Sequence, residues 1–199
     1  LLGWPPDGPT LRLDYRRFAY AGKFVMSNTG KAAVRDAERT ASSKEESGEF
    51  AVDVVAALAF NADRTDDATL WYRYVTVRDD ARGKRLGPRL ALFVAPRAAA
   101  RGYDRLRIAV NNPFAYEAMY RAGFAWTERE TGIAELVLER PSDAAAARRD
   151  DAETYQAGLD RYRERDLGDP EASFLAERVG SEPPDPLSTD PVAAVDPDR

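Results

Sequence analysis

Val75-Thr-Val-Arg-Asp-Asp-Ala-Arg82-Gly83-Lys84-Arg85-Leu86-Gly87-Pro88 joins a β-branched run to a short loop of glycines and cations, and the loop leads into a helical pattern. Backbone N–H groups in the first turn of a helix have no intrahelical partner and lie at the positive end of the helix dipole. A junction of this kind therefore binds an anion such as phosphate. Gly83 and Gly87 allow close approach of the backbone, and Pro88 suits a first helical turn. The stretch holds neither Gly-Lys-Ser/Thr nor Gly-x-Gly-x-x-Gly, so it matches neither the nucleoside triphosphatase loop nor the dinucleotide fingerprint.

Working outward, Phe50 to Phe60 sets Val52, Val54, Ala56, Leu58 and Phe60 at period two, and Leu70 to Val77 is rich in aromatic and β-branched residues. With turn residues at 63 to 67 between them, these runs predict an antiparallel strand pair. Leu11 and Leu13 predict a short strand. Lys23 to Ser27 and Lys31 to Arg35, on either side of Asn28-Thr29-Gly30, predict a hairpin, and residues 36 to 48 read as a polar loop. Downstream, Leu90, Phe93, Val94 and Ala98 form a helical stripe that ends at Gly102, with a kink expected near Leu92 because Pro96 removes its donor. Leu106, Ile108 and Val110 alternate as a strand. Asn112 and Pro113 open a second helix, Gly123 closes it, and Ile133 to Glu139 supplies a last strand.

Composition narrows the chemistry. The 199 residues hold no cysteine and no histidine. This excludes disulfides, thiol nucleophiles and Cys or His metal ligands, and leaves Glu, Asp, Tyr, Lys or water to move protons. No metal site is expected. The net charge of −5 is uneven, with 22 basic against 19 acidic residues in 1 to 140 and 7 against 15 in 141 to 199. A mildly basic surface beside Arg82, Lys84, Arg85 and Arg89 suits an anionic ligand. No apolar run approaches the roughly 20 residues that span a bilayer, so the reading is cytoplasmic with no membrane partner. Nucleic-acid binding is not expected, because no stacking platform or recognition helix accompanies the arginines.

From Val75 to Phe124 the chain resembles the GCN5-related N-acetyltransferases. Their signature is a strand, an Arg/Gln-x-x-Gly-x-Gly/Ala pyrophosphate loop, a helix, a strand, and a helix ending in Tyr-x-x-x-Gly-Phe. Arg82, Leu86 and Gly87 fall on the loop pattern, Arg85 stands at its first Gly, and Asn111-Asn112 opens the helix that closes on Tyr120, Gly123 and Phe124. The resemblance implies an α/β fold with a mixed, mostly antiparallel sheet of six or seven strands flanked by helices. It implies that acetyl-CoA lies between diverging strands, bonded to the backbone of Val75, Thr76 and Val77. The pyrophosphate would rest on the amides of Arg82 to Pro88, including Gly83, Lys84 and Leu86. Asn111 and Asn112 are candidate cofactor contacts, with Asn112 eight residues before Tyr120 where seven is the common family spacing. Tyr120 is read as the family tyrosine that protonates the departing thiolate.

The activity so implied is acetyl transfer from acetyl-CoA to a primary amine acceptor by direct attack. The alternative is a CoA-binding regulatory module with little turnover. No carboxylate stands on the strand before the loop, and Asp53 and Glu135 read as solvated or paired, so deprotonation through water, or binding of the small neutral fraction of the amine, is expected. Residues 1–140 form the acetyltransferase domain in this reading, and 141–180 a helical extension. Ala152, Tyr155, Leu159 and Tyr162 give 143 to 166 an apolar stripe that must pack on its own domain or on a second copy as a homodimer. A shorter helix is expected at 171 to 179. Residues 181–199, with five prolines, read as a disordered acidic tail.

Overall fold

The aromatic and β-branched run at 69 to 77 becomes the centre of the sheet. The structure, a computed structural model, describes residues 1–6, 8–38 and 49–188. Six strands, β1 (Gly30–Arg35), β2 (Val54–Ala62), β3 (Thr69–Val77), β4 (Arg105–Val110), β5 (Ala125–Glu130) and β6 (Leu136–Pro141), lie in the order β1-β2-β3-β4-β6-β5. Every neighbouring pair is antiparallel except β3 with β4. A parallel pair needs a crossover, and α1 (Leu86–Ala99) supplies it. Three more helices follow: α2 (Pro113–Arg121), α3 (Ala152–Arg163) and α4 (Asp169–Ala176).

The sheet has two unequal faces. On one, α1 buries Leu90, Ala91, Val94, Ala95 and Ala98 against Leu58, Leu70, Tyr72 and Leu106. Each large aliphatic side chain so buried contributes about 1.5 to 3 kcal/mol. On the other, Leu11, Leu13, Phe18 and Phe24 cover Val54, Ala57 and Ala59, so an irregular N-terminal segment takes the place of helices over β1 to β3.

Several expectations are corrected here. Leu11 and Leu13 are buried but form no strand, since the segment bonds to the fold singly, through Leu11 N to Phe24 O at 3.0 Å and Ala51 N to Arg12 O at 2.8 Å. The hairpin at 23 to 35 is absent: residues 21 to 23 form a 3-10 turn and β1 pairs with β2. Helix α1 includes Pro96 and ends at Ala99, before the Gly102 expected to close it. Strand β5 was not anticipated, because Ala125-Trp-Thr-Glu-Arg-Glu is an edge strand with a charged end and an irregular register between Trp126 and Glu130. The loop expected at 36 to 48 falls largely at 39 to 48, outside the described residues.

The C-terminal extension belongs to the main core. Tyr155, Leu159 and Tyr162 of α3 and Leu175 of α4 share the cluster of Tyr116, Met119 and Tyr120. The apolar stripe is thus covered within one chain, and its burial requires no exchange with a second copy. The helix expected from 143 starts at Ala152, capped by Asp151, whose Oδ1 accepts from Thr154 N at 2.8 Å. The expected disorder from 181 also needs correction as far as Ser188. Leu187 N donates to Arg121 O at 2.7 Å, Gln156 Nε2 to Ser181 O at 2.8 Å, and Arg148 pairs with Glu182 at 3.1 Å. Residues 189–199 lie outside the described residues.

Gly158 sets how closely α3 meets α2, because a Cβ there would lie 2.0 Å from the Tyr116 hydroxyl. Gly158→Ala is expected to destabilise the fold by about 1 to 3 kcal/mol in urea unfolding, the usual range for overpacking. Gly22→Ala, with nothing within 4 Å of its Cβ, should change stability far less.

Candidate active site

The site is built around a break in the sheet. Strands β3 and β4 pair from Thr69↔Arg105 to Tyr72↔Ile108, and no pair follows. The break coincides with a bulge: Phe60 of β2 faces Tyr72 and Ala59 faces Tyr74, so Arg73 is an extra residue in β3. An extra residue bends a strand and increases its twist. It also shifts the side-chain phase, for Leu70 and Tyr72 face α1, as do Val75 and Val77, while Tyr74 joins the opposite core. Beyond Tyr72 the edge of β3 turned from β2 is therefore free over Arg73 to Val77. At about 3.3 Å per residue this leaves an opening roughly 16 Å long.

The phosphate-type loop lies at the far end of that opening. Its position is fixed by Gly87, whose Cβ direction points at Val75 Cγ1 (3.5 Å) and Val77 Cγ2 (3.9 Å). The amides of Gly83, Lys84, Arg85, Leu86 and Gly87 have no hydrogen-bond acceptor among the described residues. Five consecutive N–H groups without an acceptor thus stand at the start of a 14-residue helix, the donor arrangement that suits an anion. Two expected contributors drop out, since Arg82 N donates to Asp79 O and Pro88 has no N–H. Arg85 adopts the left-handed backbone, with φ 57° and ψ 26°, which explains why the pattern favours glycine there. A side chain in that conformation costs roughly 1 to 2 kcal/mol. Thr76, which alternates with Val75 and Val77 and so lies on the face turned from α1, has a buried hydroxyl without a partner among the described residues.

The far wall is anchored by the C-terminal extension. Tyr162 OH donates to Val110 O at 3.0 Å, and Arg165 Nη1 to Asn111 O at 3.2 Å. Asn112 is the α2 cap, its Oδ1 accepting from Ala115 N at 2.9 Å while its Nδ2 donates to Asn111 Oδ1 at 3.0 Å. Asn111 Nδ2 donates to Tyr20 OH at 3.0 Å, and the Tyr20 ring lies 6.0 Å from that of Tyr74. Tyr20 thus bridges the opening from β3 to the end of β4. Sequence reasoning passed it over, as nothing around it signals a site; its contact with Asn111 spans 91 positions.

Tyr120 is placed elsewhere. Its hydroxyl donates to Asp150, accepts from Trp126 N at 3.1 Å and lies 3.0 Å from Tyr116 OH. Trp126 stands on β5, which β6 and β4 separate from the opening, a distance on the order of 10 Å. Burial, and then the bond to Asp150, push the Tyr120 hydroxyl far above the ordinary tyrosine range. Two spacings explain the discrepancy. Only two residues separate Tyr120 from Gly123, and seven residues after Asn112 stands Met119. The pattern's tyrosine position is therefore Met119, which is buried in the core. Asp53 pairs with Arg35 at 2.7 Å, and Glu135, on the loop before β6, accepts from Thr131 Oγ1 at 3.2 Å.

No family model and no curated protein matches the sequence. Among solved structures the chain is similar to nourseothricin acetyltransferase, with 21% identity, a TM-score of 0.41, and 45% of this chain and 59% of that one covered. It is also similar to an N-acetyltransferase from Staphylococcus aureus Mu50 (19%, TM-score 0.41, 47% and 64% covered). A third is a GCN5-related N-acetyltransferase from Kribbella flavida (20%, TM-score 0.38, 45% and 61%). The chain thus spans less than two thirds of the length of each.

Burial, opposed by the bonds from Tyr120 and Trp126, raises the Asp150 carboxyl above its usual range, and Tyr120→Phe removes its hydroxyl donor. The variant is expected to lose about 1.5 to 3 kcal/mol of stability, the cost of a lost hydrogen bond to a charged group, with CoA affinity unchanged. Equilibrium unfolding and CoA titration of the same sample check both parts.

Proposed function

We propose that the chain is a GCN5-related N-acetyltransferase that binds acetyl-CoA along the β3–β4 opening and transfers its acetyl group to a primary amine by direct attack. The carrying observation is the coincidence of a free strand edge with five unpartnered amides. A row of backbone groups suits an amide-rich arm, and a helix start suits the pyrophosphate to which that arm is joined. Bound there, acetyl-CoA supplies an activated thioester: a C–N bond forms as the C–S bond breaks, and the amine's proton ends on sulfur. Gly83 to Gly87 hold the anionic end, with Lys84 and Arg85 adding charge. Val75 to Val77 hold the arm in register. The amine loses its proton through water, since no free carboxylate stands on β3.

The hydroxyl assigned to the departing sulfur is Tyr20, which spans the opening; Tyr120 serves the core. One observation favours the second reading, a CoA-binding module with little turnover: the pattern's tyrosine position holds Met119, which carries no transferable proton. Turnover decides between them.

Millimolar CoA or acetyl-CoA should raise the melting temperature, because a ligand specific to the native state stabilises it by mass action. Gly87→Glu should abolish the rise, because its side chain would start against Val75 and Val77 and wedge the loop with its five amides away from β3. Tyr20→Phe should keep the rise and lower kcat by about tenfold or more, the lower end of the effect of a positioned proton donor. No rise in the wild type excludes both readings, and a rise without acetylation of any amine supports the module.

A further inference from the structure

Arg73, the extra residue of the β3 bulge, lines a pocket of about 400 Å³ on the sheet face turned from α1. Its Nε donates to Asn61 Oδ1 at 2.6 Å, and its guanidinium carbon lies 4.5 Å from the centre of the Trp71 ring. Among the described residues it has no ion-pair partner. Its neighbour Arg107 is held by Asp63 at 2.9 Å and by Glu139 at 2.6 Å. The pocket's other charges are spent in the same way: Arg129 pairs with Glu139 at 2.6 Å, and Glu130 with Arg161 at 2.7 Å. What remains is the cationic pair Arg73 and exposed Arg64, facing a cavity whose two carboxylates, Asp63 and Glu130, are already bonded.

A half-buried guanidinium that has no ion pair of its own, and feels opposite charge only from Asp63, which is already bonded to Arg107, is costly unless something supplies a partner. Burial already works against the charge of Arg73. A carboxylate matches the planar fork of a guanidinium in two parallel hydrogen bonds, and Trp71 fixes the plane of that fork by stacking. Position adds a second argument. Arg73 directly follows Tyr72, the last β3 residue paired to β4, and so stands at the apex of the opening where the reacting end of a ligand anchored at Gly83 to Gly87 arrives.

We infer that this pocket seats the acceptor, and that the acceptor is an amine bearing a carboxylate, held by Arg73 against Trp71 with its amine directed to the opening. The inference rests on acetyl transfer at that opening and adds to it the chemical class of the acceptor.

The test is calorimetric titration of the full chain, with and without saturating CoA, using L-amino acids and ω-amino acids each paired with its own amide. At least one acid should bind about tenfold or more tightly than its amide, as expected when a site built for a charged partner is offered one that lacks it. Arg73→Gln, which can keep the bond to Asn61, should erase that preference, whereas Arg73→Lys should retain part of it. Acids and amides that bind alike, acids that do not bind, or a preference that survives in Arg73→Gln would each overturn the inference. Carboxylate preference together with CoA binding supports it. CoA binding with no carboxylate preference overturns the acceptor assignment alone, whereas carboxylate preference without CoA binding overturns acetyl transfer and with it the pocket's role as an acceptor site.

Discussion

The extra residue at Arg73 is the constraint on which the rest of the molecule depends. One inserted residue ends the parallel pairing of β3 with β4, reverses the side-chain phase of β3, and leaves five residues of that strand with a free edge. An unpaired strand edge inside a sheet leaves hydrogen-bonding groups unsatisfied, and it persists only where the surroundings hold both walls apart. Here they do. Strand β3 is tied to β2 up to Ala56↔Val77, and β4 to β6 up to Val110↔Leu136. Each wall has its partner on the far side, so the gap between them costs no other pairing.

The C-terminal helices fix the second wall. Tyr162 and Arg165 bond the carbonyls of Val110 and Asn111, and Tyr155, Leu159 and Tyr162 fill the core behind α2. The polar network around Tyr120 and Asp150 belongs to the same arrangement, since it joins α2, β5 and the approach to α3. Position within the fold thus decides the role of each tyrosine. Tyr120, on a helix where a hydroxyl was expected to serve chemistry, holds the extension in place, whereas Tyr20, on an irregular segment, reaches across the opening.

Much of the α/β core was legible because its signals are local. Period-two alternation located β2 and β4, Asn112 with Pro113 marked the start of α2, and the glycines at 83 and 87 marked the turn that leads into α1. What could not be read depends on distant contacts or on register. The bulge leaves no mark in Leu70-Trp-Tyr-Arg-Tyr-Val-Thr, because Arg73 continues the strand chemically and only the register with Ala59 and Phe60 exposes it. Strand β5 is polar at its exposed end and took its identity from β6. The tyrosine was misassigned by one position on a helix, where a single step turns a side chain by about 100° and moves it to another face.

The central claim is that the free β3 edge and the five amides of Gly83 to Gly87 form one binding surface for CoA. Hydrogen–deuterium exchange of the backbone, with and without saturating CoA, tests it most directly, because the claim concerns those N–H groups themselves. Protection should appear at Gly83 to Gly87 and along Val75 to Val77 together, with little change around Trp126 and Asp150. Protection confined to other segments, or none at Gly83 to Gly87 under conditions where CoA is bound, would contradict the account.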